Sequence, residues 1–273
     1  LLPAFFCEYN LRPVSEWRQV IESTAAQLGT YAVHIRKKLE AQIIFQNMSI
    51  SDVPFWGVYD AQQTQNQVHL VHQLNQLLIA QTSNVSNVFI WDYDHYLTRK
   101  GYDTIYDSKA WYVSKNPFKY SAYPDIIGDL FRYLACSIGK IKKCIVLDLD
   151  NTLWGGILGE DGFNKIALGD DYPGSCYRDL QKELRKLYHR GMLLAINSKN
   201  NEGEVFEVFD KHPDMILRRN NFAAYRINWT DKATNLKNLA QELNIGIESM
   251  IFIDDSPREC ELIRQIYPEC SVI

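Results

Sequence analysis

Residues 144–156 read CIVLDLDNTLWGG, a solid apolar run that passes directly into Asp148 and Asp150, then Thr152, Trp154 and the pair Gly155 and Gly156. An uninterrupted apolar strand is the pattern of a parallel sheet covered on both faces. Each carboxylate at the end of such a strand needs compensation, because an unpaired buried charge is costly. The rest of the chain has to supply it.

Downstream, the chain alternates. YRDLQKELRKLYHRG predicts a helix stopped by Gly191, LLAIN a strand, EVFEVFDKH a helix, MIL a short strand, KATNLKNLAQELNIG a helix ending at Gly246, and MIFID a last strand. Such a series implies an α/β fold, a parallel sheet with helices on both faces, whose ligands sit beyond the carboxyl ends of the strands. Upstream, EWRQVIESTAAQLGTYAVHIRKKLEAQ and QVHLVHQLNQLLIAQTS read as amphipathic helices, and SNVFIWDYD as a strand followed by a polar loop. The natural division near SIGKIKK predicts two domains, a smaller α/β one over residues 1–140 and the alternating one over 141–273.

Composition narrows the function. A net charge of -4 and a pI near 5.9, with no block of basic residues, argue against nucleic acid. No apolar run approaches the ~18 residues that span a bilayer, and LLPAFFCEYN lacks the basic start of a signal peptide. Cys7, Cys136, Cys144, Cys176, Cys260 and Cys270 are scattered without zinc-site spacing, so they read as small buried hydrophobes in a reducing cytoplasm. The chain begins without methionine and stops soon after a helical pattern, as a fragment of a longer protein would.

The first residues past each strand end form a set: Asp148, Asp150 and Thr152, then Ser198, then Lys232 at the head of a helix, then Asp254 and Asp255. Carboxylates within ~4 Å of one another repel by about 4 kcal/mol per pair at an effective dielectric near 20. A hard divalent cation removes that repulsion, and Mg2+ suits a carboxylate site that also receives phosphate. A lysine and a serine beside it would hold the remaining phosphoryl oxygens. Singly, each residue has a plainer explanation as a cap, turn residue or solvated helix face.

LDLDNT resembles the D-x-D-x-T signature of the haloacid dehalogenase superfamily, and NSKN, WTDKATN and FIDDSP follow in that superfamily's order. More narrowly, VLDLDNTLWGGILGEDG, LLAINSKNN, NNFAAYRINWTDK and FIDDSPRE resemble its subfamily IIIC, the FkbH-like proteins, from about Lys143 to the end of the chain. The resemblance implies Asp148 as a nucleophile that forms an aspartyl phosphate, and Asp150 as general acid and base. It implies Thr152 as a brace for the loop, and Ser198 and Lys232 on the phosphoryl oxygens. Lys199 is placed with them in the substrate-binding group, and so are Gly155 and Gly156, whose reading as a close backbone approach to a ligand stands beside that of an ordinary tight turn next to a core tryptophan, Trp154. Magnesium would be held by Asp148, the Asp150 backbone carbonyl and Asp255, with Asp254 behind them, although the spacing permits either acid of the pair as the ligand.

The same resemblance implies glyceryl transfer from bisphosphoglycerate to an acyl carrier protein through an enzyme thioester. Many family members carry a cysteine before the motif serine, and here that place is Asn197. The implied substrate is a phosphorylated small molecule or an acyl phosphate. The alternative is a non-catalytic docking module of a larger biosynthetic protein. About two dozen residues separate Thr152 from Arg178, too few for a full cap, so the site is expected to be open. Cys176 then stands as the remaining thiol on the loop-rich side of the sheet, with Cys260 placed near the opposite turn.

Upstream of the division, FIWDYDHYLT sets Asp92 and Asp94 after an apolar run as well, but Tyr96 stands where threonine would and no serine or lysine partners follow. KAWYVSKNPFKYSAYP interleaves aromatics with lysines and reads as loop packing or a substrate-facing surface. In the resembled family this region is related to SGNH hydrolases, which the α/β reading matches. It holds no G-D-S motif and no terminal D-x-x-H, so no esterase activity is assigned to it.

Overall fold

The computed structural model describes residues 13–50 and 54–273, so Cys7 and the LLPAFFCEYN start lie outside the described residues. The chain divides into two compact units, Leu1–Ile138 and Gly139–Ile273. No helix among the described residues is long and apolar enough to cross a membrane.

The first unit runs α1 (Trp17–Lys38), β1 (Ile43–Gln46), α2 (Gln67–Thr82), β2 (Val88–Trp91), α3 (Tyr93–Lys100), α4 (Tyr102–Ile105), α5 (Ser108–Ser114) and α6 (Tyr123–Ser137). Trp17, Ile21 and Ala25 recur at helical spacing on α1 and bury against Leu70, Val71 and Leu74 of α2. β1 and β2 pair in parallel, Ile43 opposite Val88. The expected polar loop after β2 is instead α3, because Asp92 accepts a hydrogen bond from the His95 amide and caps it. Asp92 also accepts from Asn47 at 2.8 Å, and Asp94 accepts from the Ile50 amide at 3.1 Å. This upstream acid pair is spent on ordering its own chain ends.

The second unit runs β3 (Cys144–Leu147), α7 (Leu158–Asp161), α8 (Gly174–His189), β4 (Leu193–Ser198), α9 (Glu202–Lys211), β5 (Phe222–Ile227), α10 (Lys232–Leu243), β6 (Met250–Ile253), α11 (Pro257–Ile266) and β7 (Ser271–Val272). The five strands lie in the order β5-β4-β3-β6-β7, and every pair is parallel. Alternate residues of β3 feed two different cores. Ile145 and Leu147 pack with Leu184 of α8 and Val205 and Phe209 of α9, whereas Cys144 and Val146 pack with Leu236 and Leu239 of α10 and Ile263 of α11. That double burial explains the unbroken apolar run of the sequence.

Two strand assignments differ from the sequence reading. Residues 215–217, MIL, form no strand: Met215 and Leu217 are buried, but the Ile216 and Leu217 amides donate to Gln181 Oε1 at 2.9 and 3.1 Å. The strand is FAAYRI instead, an edge strand whose Ala223 and Tyr225 are exposed, which breaks the apolar run that marks the inner strands. The short β7 pairs with β6 at the other edge. Cysteine placement also differs in part. Cys144, Cys260 and Cys270 are buried, but Cys136 and Cys176 are exposed.

Gln181 is fully buried on α8, and its Nε2 also donates to the Leu153 carbonyl at 2.8 Å, so one side chain ties the loop after β3 to the 215–217 segment. Gln181→Leu would strand these backbone groups at about 1–3 kcal/mol each. We expect a loss of about 3 kcal/mol or more, read as a lowered urea midpoint with an unchanged slope.

Candidate active site

The loop after β3 places its charges by burying its neighbours. Leu149, Leu153 and Trp154 are fully buried, while the Thr152 and Leu153 amides turn back onto the Leu149 carbonyl at 3.1 and 2.8 Å. Asn151 takes the left-handed backbone conformation (φ 51°) that this turn requires and that asparagine tolerates. With the apolar side chains plugged into the core, Asp148 and Asp150 remain at the carboxyl end of the sheet. The Asp148 amide still bonds the Ile253 carbonyl of β6 at 2.9 Å.

Opposite stands Lys232, the first residue of α10. Asp231 caps this helix by accepting from the Thr234 amide at 2.8 Å, and the Asn197 amide group donates to the Lys232 carbonyl at 2.9 Å. The ammonium lies 2.9 Å from Asp148 Oδ1 and 2.6 Å from Asp254 Oδ2. It is buried, not solvated on a helix face. Burial pulls its pKa down, but the Asp148 and Asp254 carboxylates outweigh that and leave it above the ordinary lysine value. For Asp254 burial and then the Asp148 charge raise the pKa, over the opposing pull of Lys232. Asp255 is raised too, by burial and then Asp148.

Carboxylate oxygens of Asp148, Asp254 and Asp255 lie within 4.8 Å of one another. Three carboxylates against the single ammonium of Lys232 leave a formal charge of -2. An all-oxygen donor set with two uncompensated negative charges fits Mg2+. The acid pair is not equivalent. Asp254 has its Oδ2 on Lys232 and its Oδ1 on the Ser256 amide at 3.0 Å, whereas Asp255 is exposed.

Asp150 is held by three donors. Its Oδ1 accepts from the Trp154 indole at 2.9 Å and the Leu158 amide at 3.1 Å, and its Oδ2 from Asn200 Nδ2 at 3.0 Å. The same Asn200 amide lies 3.3 Å from the Ser198 hydroxyl, so it joins the loops after β3 and β4. Sequence reasoning missed Asn200, because a lone asparagine after a strand is ordinary turn chemistry. Trp154 is both a core residue against Phe209 and a clamp on Asp150.

The remaining candidates divide. Thr152 and Ser198 are buried at the same edge. Lys199 is paired with Glu259 at 2.7 Å. Gly155 has a packing reason, since a Cβ there would meet Tyr177 at 2.7 Å and Ala167 at 3.0 Å, and Gly156 a backbone one, with φ 94°. Cys260 is not at the opposite turn: α11 starts just past Asp255, and the thiol lies 3.3 Å from the Asp254 carbonyl. Between Thr152 and Gly174 the described chain forms one four-residue helix and no cap domain.

Residues 143–267 match the family model of the NLI interacting factor-like phosphatases. No curated protein matches the chain in sequence. Among solved structures, the N-terminal part of BF1531 from Bacteroides fragilis, which contains a phosphatase domain and is complexed with Mg, superposes with a TM-score of 0.86. It is 29% identical over 99% of this chain and 71% of that one. The enzyme bt-2542 of Bacteroides thetaiotaomicron, with magnesium and inorganic phosphate, gives a TM-score of 0.35 at 15% identity over 48% of this chain and 93% of that one. The 3-deoxy-D-manno-octulosonate 8-phosphate phosphatase of Moraxella catarrhalis gives 0.33 at 20% over 47% and 64%. The second unit thus has the fold of a haloacid dehalogenase-like phosphatase domain.

The unequal acid pair yields a test. Asp255→Ala should weaken magnesium binding by about 100-fold or more, and Asp254→Ala by about tenfold, as for loss of a ligand against loss of its support. Magnesium titration by calorimetry reads both, and the reverse order would assign the metal to Asp254.

Proposed function

We propose that the second unit, a domain with the haloacid dehalogenase-like phosphatase fold, is a magnesium-dependent phosphatase that acts on a phosphorylated small molecule through an aspartyl phosphate on Asp148. The observation that carries this reading is Lys232 wedged between Asp148 and Asp254, beside an Asp150 carboxylate held in place by three donors.

A carboxylate oxygen of Asp148 attacks phosphorus, and the bond from phosphorus to the leaving oxygen breaks with its electron pair on that oxygen. Asp150 then gives the leaving oxygen a proton. Its Oδ1 already accepts two hydrogen bonds and its Oδ2 one, so the proton is carried on the open side of Oδ2. In the second step Asp150 takes a proton from water as the water oxygen attacks phosphorus. The bond to Asp148 breaks and its carboxylate is restored. Lys232 and Ser198 hold the phosphoryl oxygens, and Asn200 keeps Ser198 and Asp150 in register. Magnesium held by Asp148, Asp255 and the Asp150 carbonyl would neutralise the carboxylates so that a phosphate dianion can enter.

Glyceryl transfer to an acyl carrier protein, the finer activity that the resemblance implies, needs a thiol beside Ser198. Asn197 occupies that place, fully buried, with its amide group spent on the Lys232 carbonyl. This supports phosphate release without a thioester. Docking without catalysis remains the alternative from another class, and no observation at the site favours it.

Asp148→Asn should lower phosphate release at least about a thousandfold while leaving the thermal transition in place, since the amide is nearly isosteric but not nucleophilic. A beryllium fluoride adduct should form on the unmutated chain only with magnesium present. Turnover by the variant would move the nucleophile elsewhere. After incubation with bisphosphoglycerate and magnesium, intact-mass spectrometry should show no hydroxylamine-sensitive glyceryl adduct. Such an adduct would restore the transfer reading, and Cys176→Ala would then show whether Cys176 carries it.

A further inference from the structure

We propose that Trp229 and Ile157 form an apolar rim on the phosphate site and select phosphomonoesters whose alcohol is aromatic or otherwise planar and uncharged. This rests on the phosphatase reading and adds the class of leaving group to it.

Trp229 is 72% exposed, yet its turn is fixed. The Asn228 amide bonds the Ser198 carbonyl at 3.1 Å, the Thr230 amide bonds Asn228 Oδ1 at 3.0 Å, and the buried Asn235 donates to the same oxygen at 2.9 Å. One side of the turn is therefore anchored to Ser198, and three residues after Trp229 comes Lys232. A ring carried on a braced backbone needs no further backbone ordering on binding and has only its two side-chain torsions to fix, which lowers the cost at which an aromatic platform adds affinity.

Ile157, 40% exposed, directly precedes Leu158 on the loop that reaches Asp150. Its amide bonds Asp161 Oδ2 at 2.9 Å, and the next amide, of Leu158, bonds Asp150 Oδ1. The residue beside the proton donor to the leaving oxygen is thus apolar. Charge points the same way. Lys199, the cation that follows Ser198, is already paired with Glu259, so it is not free to meet a second anionic group on the substrate. Between Thr152 and Gly174 the described chain forms no cap domain to enclose the leaving group, which leaves exposed side chains of the second unit such as these two to meet it.

The test compares naphthylmethyl phosphate with glycerol phosphate on the full chain with magnesium, two esters of alcohols of similar basicity, so that a difference reports binding more than bond cleavage. We expect KM for the naphthylmethyl ester to be lower by about tenfold. Trp229→Ala should erase that preference through KM with little change in kcat, and Trp229→Phe should keep most of it. Ile157→Asn should reduce it in the same direction. A preference that survives Trp229→Ala overturns the proposal. If neither ester is hydrolysed, the phosphatase reading fails by itself. Quenching of tryptophan fluorescence by naphthylmethylphosphonate then decides the rim: it should saturate on the unmutated chain and be lost in Trp229→Ala, and equal binding by both chains would reject it.

Discussion

The ammonium of Lys232, buried between Asp148 and Asp254, joins four elements at one point. Asp148 directly follows β3, Asp254 directly follows β6, Lys232 starts α10, and Asn197 of β4 holds the lysine's own carbonyl. Removing the lysine from such a cluster would leave two buried carboxylates facing each other uncompensated, typically at a cost of about 3–5 kcal/mol. Counting Asp255, the cluster carries two negative charges more than its single ammonium neutralises. The arrangement that holds the strand ends together therefore creates the demand for a divalent cation. Structure and chemistry share one electrostatic requirement.

Around that point the chain separates rigid from open. Asp150 is fixed by the indole of a core tryptophan, a backbone amide and Asn200, so its orientation is inherited from the packing of Trp154 on Phe209. In the proposed reaction, a general acid and base held by the core in this way would need no substrate to order it. The short connection from Thr152 to α8, in contrast, leaves Ile157 and Tyr172 exposed, and the turn before α10 leaves Trp229 so. The charged cluster is prearranged by the core, and the exposed side chains beside it are where the proposed selection of substrates would act.

The first unit shows what the same local pattern becomes without such partners. Asp92 and Asp94 also follow a parallel strand, yet Asn47, the His95 amide and the Ile50 amide take up their oxygens. Neutral donors satisfy these carboxylates as caps and loop ties, and among the described residues no lysine pairs with them as Lys232 does with Asp148 and Asp254 in the second unit. Two aspartates after a strand are thus not a site by themselves; what faces them across the sheet end decides their use.

The sequence by itself determined the alternation of strands and helices in the second unit and the list of polar groups at their ends. An apolar run of Cys144 to Leu147 and helical spacing from Tyr177 to Leu187 are local signals, and a parallel order forces strand ends to one edge. It failed where a residue's partner lies far along the chain. The buried MIL segment resembles a strand until Gln181 is found taking its amides, and FAAYRI is hidden by the exposed face of an edge strand. Only the tertiary structure decided that Asn200 and Trp154 clamp Asp150, that Lys199 is held by Glu259, and that Asp254 faces Lys232 while Asp255 lies open. Adjacent acids have the same chemistry in a sequence. The direction in which each side chain leaves the backbone, and hence whether it meets a lysine or water, is set by packing between segments that the sequence keeps apart.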